Sequence, residues 1–261
     1  MARPKHSGQS WRAKLVLHYD GRDFHGWQIQ PNRRTVQGEL SALLGRLCGG
    51  RPPMITAAGR TDQGVHASGQ VASTLMPSRF EPEELLDALN ALTPPDLWVA
   101  SVERVPEAFH PRYDAVSRTY AYRLGVTPET RSPFIAPWCW PLGQRPDEDR
   151  LQAASLIIPG SHDFSAFAKS GQPERGSRCD VSEVEWLDSP DAPGVRVFQI
   201  TANRYLHRMV RYLVGTLVDI GLGARPVDDM ARLLKGVEGP VVSPPAPAKG
   251  LFLTRVDYSK D

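Results

Sequence analysis

The strongest constraint on the fold is the order of strand and helix periodicities, which is nearly the same in both halves of the chain. An alternating strand over 14–19 precedes a helix over 35–50 whose leucines recur on one face, with Thr35 as its expected N-cap. Two short strand-like segments at 53–58 and 70–76, a helix over 81–92 and a strand over 97–105 follow. This βαββαβ order predicts a split β-α-β unit, that is, a ferredoxin-like half.

The second half gives a similar order, with the predicted strands at 118–126, 182–188, 195–202 and 251–258, and the predicted helices at 147–158, 206–221 and 227–236. The sequence therefore predicts an α+β fold. In it, two tandem ferredoxin-like halves join into a mixed, mainly antiparallel sheet with helices on one face and a cleft between the halves. We expect one half at 1–107 and a second half at 108–261 with Pro-rich insertions. Within the second half, the Pro-rich stretch 131–146 and an exposed basic loop at 169–178 are expected to be irregular.

Composition favours a soluble protein. No apolar run approaches the roughly 18 residues of a membrane span, and the N-terminus lacks a signal-peptide pattern, so we expect a cytoplasmic location without membrane contact. The sequence has three cysteines, Cys48, Cys139 and Cys179, with no C-x-x-C pair and no matching histidine spacing, so it supports neither a disulfide framework nor a zinc site. Only six of the 31 cationic side chains are lysine. Arginine suits phosphate contacts, although a GC-rich genome gives the same bias.

The stretch "AGRTDQGVHASGQV" (58–71) places a cation and an anion in a short turn between two strand-like segments. Asp62 could be a simple turn cap that bonds its own backbone. Alternatively, Arg60 favours the ionised carboxylate, and an immobilised carboxylate can act as a nucleophile or stabilise positive charge on a sugar. A solvated surface ion pair is the simpler alternative for Arg60.

Three other groups have both a structural and a functional interpretation. His66 begins a strand, which favours a packed or hydrogen-bonded histidine over a general base. Tyr120 and Tyr122 share one strand face, where core packing is the default and stacking on a flipped base is the alternative. Arg208 and Arg211 are spaced to share a helix face, either as a solvated basic face or as an anion clamp.

The sequence lacks the phosphate-binding, dinucleotide-binding, zinc-deaminase and metalloprotease motifs. It also lacks a serine nucleophile elbow. Any chemistry therefore has to use side chains alone, and we expect no metal and no cofactor.

Several stretches together resemble the TruA family of tRNA pseudouridine synthases over nearly the whole chain. They are "YDGRDFHGWQ", "TVQGELSALL", "AGRTDQGVHASGQV", "FHPRYDAVSRTYAY", "GSHDFSAF", "LHRMVRYLVG" and "APAKGLFLTRVDY", in that order. The departures are small, such as Ile29 after "GWQ", Thr119 where a basic residue is common, and Lys249 before "GLFL".

The resemblance implies that Asp62, in the half at 1–107, is the catalytic nucleophile and that the cleft between the halves is the active-site cleft. It also implies that Arg60 helps to displace the target base or occupies its place in the stem. It further implies that Tyr120 packs on the uracil, that Arg211 pairs with the catalytic carboxylate, and that Leu253 lines the pocket. The expected reaction converts uridine to pseudouridine at positions 38, 39 and 40 of the anticodon stem-loop. The expected partners are tRNA and a second copy of the chain, each tRNA spanning both subunits.

Two function classes compete with this interpretation. A catalytically silent RNA-binding protein or RNA chaperone could use two ferredoxin-like sheets, but it would have little use for an anion beside phosphates. A metal-dependent nuclease or other hydrolase needs clustered carboxylates, and the sequence offers only isolated ones near the motif.

Overall fold

The computed structural model describes residues 10–169, 176–237 and 239–259. The chain forms two compact units. The first comprises the described residues up to Val116 together with those from Arg255 onward, and the second runs from Ser117 to Thr254. The functional division at 107/108 stays a prediction.

The first unit has a four-stranded antiparallel sheet in the order β4-β1-β3-β2. Its elements in chain order are β1 (Ser10–Tyr19), α1 (Val36–Leu47), β2 (Thr56–Ala57), β3 (His66–Pro77), α2 (Pro82–Asn90) and β4 (Leu97–Val105). This neighbour order follows from two split β-α-β units: β3 lies between β1 and β2, and β1 lies between β3 and β4.

Local sequence explains where the two helices of this unit begin. The Thr35 side chain accepts a hydrogen bond from the Gly38 amide (3.2 Å) and so caps α1. Glu81 and Glu84 form a capping box at the start of α2, with proline in the first turn. The apolar faces of both helices are buried and form the core with alternate residues of β1, such as Leu15 and Leu17.

The second unit repeats this arrangement with additions. Its elements are β5 (Ala115–Gly125, from Ser117 onward), β6 (Trp140–Pro141), α3 (Glu148–Ser155), β7 (Gly160–Asp163), β8 (Arg178–Asp188), β9 (Val195–Ala202), α4 (Met209–Gly221), α5 (Asp228–Leu234) and β10 (Leu251–Tyr258, up to Thr254). The strands lie in the order β10-β5-β9-β8-β7, and β6 pairs with β5 in parallel. The predicted α+β class, with a mainly antiparallel sheet, is confirmed.

Some element bounds differ from those predicted. The strand expected over 53–58 is reduced to the two residues of β2. The helix expected from 206 begins at Met209, because Arg208 has a left-handed backbone (φ +65°) that cannot continue a right-handed helix. The four-residue strand β7 was not predicted, since it is too short to show an alternating pattern.

The sequence predicts two irregular stretches in the second half, one Pro-rich and one basic. The Pro-rich stretch 131–146 contains the short 3₁₀ turn Ala136–Trp138 and then β6. The basic loop predicted at 169–178 lies largely outside the described residues. Among the described residues, no helix is both long and apolar enough to span a membrane.

Candidate active site

The turn that carries Asp62 connects β2 to β3 in the first unit. It is closed by main-chain atoms, since the Val65 amide donates to the Asp62 carbonyl oxygen (3.1 Å). Gly64 supplies the positive φ (+77°) that the turn requires. Arg60 is exposed, Thr61 is buried, and Asp62 is partly exposed. The turn therefore does not need the Asp62 carboxylate to close it.

The segment that follows β1 supports this turn from one side. The Trp27 amide donates to the Thr61 carbonyl oxygen (3.0 Å), and Gly26 has a positive φ of +87°. A Cβ on Gly26 would lie 2.7 Å from that same oxygen, which real Cβ atoms essentially never do. The glycine of the "GW" pair thus permits the close approach that holds the turn in place.

Buried polar side chains support the turn from the side of the sheet. The Gln70 amide nitrogen donates to the Gly59 carbonyl oxygen (2.9 Å), and the Tyr19 hydroxyl lies 2.8 Å from the Thr61 hydroxyl. Burial raises the pKa of Tyr19 to about 12, so its hydroxyl keeps its proton at neutral pH. The main chain of Gly59 and the side chain of Thr61, on either side of Arg60, are therefore both fixed.

His66 has the structural role that its strand position predicted. It is buried, and its Nδ1 accepts a hydrogen bond from the Gly21 amide (3.1 Å). The same Nδ1 lies 3.2 Å from an Asp20 carboxylate oxygen. An Nδ1 that accepts an amide proton cannot also donate to a carboxylate, so this contact is not an ion pair.

In the second unit, the two tyrosines of β5 have different environments. Tyr122 is fully buried, and its hydroxyl donates to the Pro247 carbonyl oxygen (2.9 Å). Tyr120 is only partly buried, and its ring packs edge-on against Tyr205 with 4.8 Å between ring centres. Tyr205 is itself held by its hydroxyl, which donates to the Ile200 carbonyl oxygen (2.8 Å). Core packing therefore describes Tyr122, whereas Tyr120 keeps some accessible surface.

Arg211 lies in the first turn of α4, partly buried, and is joined to the segment 243–247, which we call the strap. Its Nε donates to the Ala246 carbonyl oxygen (2.6 Å), and the Ala246 amide donates back to the Arg211 carbonyl oxygen (2.9 Å). This reciprocal pair fixes the direction of the guanidinium. The strap also contains Pro247, the acceptor for Tyr122.

The predicted site residues are thus divided between the units. Arg60 and Asp62 share one turn of the first unit, and Tyr120, Arg211 and Leu253 belong to the second. Leu253 is fully buried in β10, which is the hydrogen-bonded neighbour of β5.

Several supporting residues were not predicted. The sequence did not indicate roles for Tyr19, Thr61 and Gln70 around the turn, or for the strap. A polar glutamine at a fully buried position of β3 is the signal that could have been followed, because a buried amide needs partners. The strap gave no such indication, because a run of prolines is typical of a plain connector.

Comparison with known proteins gives a consistent result. The chain matches the profile of a family described as tRNA pseudouridine synthase over residues 15–114 and 154–259. It is 35% identical to a tRNA pseudouridine synthase A of Leuconostoc mesenteroides, covering 95% of this chain and 99% of the relative. It is 38% identical to a protein of the same name from Listeria monocytogenes, with the same coverage of both chains.

Among solved structures, a chain from a Cbf5-Nop10-Gar1 complex matches with a TM-score of 0.38 and 11% identity, covering 92% of this chain and 57% of that chain. That score is too low to support a structural conclusion, so the sequence matches decide the assignment. They cover nearly the full length of this chain and of its relatives. This chain belongs to the tRNA pseudouridine synthase family.

Proposed function

We propose that this protein converts uridine to pseudouridine at positions 38, 39 and 40 of the tRNA anticodon stem-loop, with Asp62 as the nucleophile and without a cofactor. Family membership gives the reaction class, an isomerisation of uridine in tRNA. The observation that carries the assignment of Asp62 is its position. It lies partly exposed on a turn whose main chain is fixed by other groups.

The reaction is balanced without a co-reactant. The N1–C1′ bond of uridine breaks, the uracil turns, and a C5–C1′ bond forms, while C5 loses a proton and N1 gains one. A carboxylate can assist departure of the base by attack on C1′, by addition to the base, or by removal of a ribose proton to give a glycal. All three paths need an anionic oxygen held beside the nucleoside.

The other site residues have distinct proposed roles. Arg60, the exposed neighbour of the nucleophile, enters the stem as the target base leaves it. Displacing the base costs roughly a few kcal/mol of stacking and pairing, which contacts to the RNA must offset. The accessible part of the Tyr120 ring packs on the uracil, and the buried Leu253 lines the pocket from behind, as apolar support for its wall. Arg211 neutralises the charge of the catalytic carboxylate.

We further propose that the protein acts as a homodimer in the cytoplasm, with each tRNA contacting both subunits. The family resemblance supports the dimer, and the tRNA substrate supports the location. Because arginines provide most of the positive charge, binding should weaken steeply as salt increases. Light scattering of the purified protein at several concentrations measures the oligomeric state directly.

The decisive test uses a tRNA transcript labelled with tritium at C5 of its uridines. Isomerisation releases that hydrogen to water, and carbodiimide mapping then identifies the modified position. Transcripts that keep a single uridine at 38, 39 or 40 test each position separately. We expect release with the wild type at every position, and none if all three uridines are replaced.

Asp62→Asn should abolish release while leaving tRNA affinity within about threefold, because it removes the anion but little volume. Asp87→Asn is the matched control: it changes an exposed aspartate on α2 and should leave turnover unchanged. Measurable turnover by Asp62→Asn would remove Asp62 from its role. Tight tRNA binding without release by the wild type would favour an RNA chaperone, and EDTA-sensitive cleavage of the RNA would favour a nuclease.

A further inference from the structure

A buried hydrogen-bonded group lies under the turn that carries Asp62, entirely within the first unit. It consists of Tyr19 at the end of β1, Thr61 in the turn, and Gln70 on β3. All three side chains are buried, so substrate does not touch them. Resting on the proposed function, we propose that Tyr19, Thr61 and Gln70 are positioning residues that set the reactive geometry of the Asp62 carboxylate.

The direction of the Gln70 hydrogen bonds follows from their chemistry. The Gly59 carbonyl oxygen can only accept, so the Gln70 amide must point its nitrogen toward it (2.9 Å). The same nitrogen lies 3.4 Å from the Tyr19 hydroxyl, which therefore accepts there. Tyr19 and Thr61 share a hydrogen bond between their hydroxyls at 2.8 Å, in which either oxygen can donate. Hydrogen bonds therefore connect Gln70 through Tyr19 to Thr61, the residue next to the nucleophile.

The turn can form without this group. Its main chain is closed by the Val65-to-Asp62 and Trp27-to-Thr61 hydrogen bonds. The flanking strands are fixed by the β1–β3 ladder, in which Leu17 lies opposite Gln70. The buried side chains of Tyr19 and Gln70 additionally fix the Thr61 side chain and the Gly59 carbonyl, one on each side of Arg60.

A positioning role and a merely structural role predict different effects on stability and on reaction rate. A neutral hydrogen bond contributes only about 0.5–1.5 kcal/mol to stability, a small part of the roughly 5–15 kcal/mol of a typical domain. A shift of about 1 Å in a catalytic group can cost on the order of 100-fold in rate. Loss of the Thr61 hydroxyl should therefore affect the catalytic step far more than folding or tRNA binding.

Thr61→Val removes the hydroxyl and keeps the shape, Thr61→Ser restores a hydroxyl, and Thr74→Val is the matched control. Thr74 is a buried threonine on the same strand β3 as Gln70, and its hydroxyl donates to the Met54 carbonyl oxygen (2.9 Å). We expect Thr61→Val to lower the single-turnover rate by about 10- to 100-fold, with tRNA affinity within about threefold and a melting temperature close to that of Thr74→Val. Thr61→Ser should recover the rate to within about threefold.

Tyr19→Phe tests the same bond from its other end and keeps the buried ring. It should reproduce the rate loss, and the Tyr19→Phe/Thr61→Val double variant should be no slower than the slower single variant, because both remove one shared interaction. An additive double variant, or a Thr61→Val rate within about twofold of Thr74→Val, would overturn the positioning role. A wild-type protein without turnover would instead refute the proposed function, so the two failures are distinguishable.

Discussion

Two helical glycines should respond in opposite ways to the same substitution, because one helix faces the strap and the other does not. Gly215 lies in α4, and a Cβ there would meet the Pro244 carbonyl oxygen at 2.1 Å. Gly45 lies in α1, and a Cβ there would meet atoms of Pro52 at 3.6 Å, an ordinary contact distance. The strap must therefore move to admit alanine at 215 but not at 45.

The expected magnitudes follow from this geometry. Alanine in place of a helical glycine gains about 0.5–1 kcal/mol, so Gly45→Ala should raise the melting temperature by roughly 1–4 °C. At Gly215 the same gain is outweighed by overpacking, which costs about 1–3 kcal/mol, and by strain on the hydrogen bonds between Arg211 and Ala246. A net loss of about 2 kcal/mol should lower the melting temperature by roughly 4–8 °C.

Differential scanning calorimetry of the two variants beside the wild type measures these shifts, and the tritium-release assay gives the functional consequence. Gly215→Ala should also lose turnover, because the displaced strap no longer fixes the Arg211 guanidinium. Gly45→Ala should keep wild-type turnover. A melting temperature for Gly215→Ala equal to or above that of Gly45→Ala would refute the close packing of the strap on α4.

Two further predictions concern charged side chains. The Arg225 guanidinium donates hydrogen bonds to Asp229 (3.0 Å) and to Ser243 of the strap (2.8 Å), and both charged groups are largely buried. Arg225→Met removes one partner of this pair, so it should lower the free energy of unfolding, measured by urea denaturation, by about 3 kcal/mol. A loss below about 0.5 kcal/mol would contradict this. Burial alone would raise the pKa of Asp20, but hydrogen bonds from the Arg22 side chain and amide, together with the positive charge of Arg22, outweigh it and lower that pKa below its ordinary 3.8. The stability contributed by ionised Asp20 is fully present above the unfolded pKa of about 3.9 and is lost as pH falls through the lowered folded pKa. Asp20→Asn lacks this contribution, so its melting temperature should fall less steeply below about pH 4 than that of the wild type. Parallel curves for the two proteins would contradict this.

The local order of elements was predictable because it depends on short-range periodicity. Neighbouring residues determine the apolar stripe of α1, its Thr35 cap and the alternation of β1, and the structure confirms all three. The turn around Asp62 was predictable for the same reason, since flanking glycines allow it locally. The family could also be recognised from sequence, because several motifs occur in a fixed order.

Other features depend on residues far apart in the chain, and only the tertiary structure decided them. Tyr120 and Tyr122 are equivalent by alternation, yet Pro247, more than a hundred residues away, accepts the hydroxyl of one and leaves the other partly accessible. Arg208 fits the helical pattern, but its backbone is left-handed and α4 starts after it. The support of Thr61 by Tyr19 and Gln70 likewise joins three separate segments. Periodicity determines which face a residue occupies, whereas its partners are set by which segments the fold brings together.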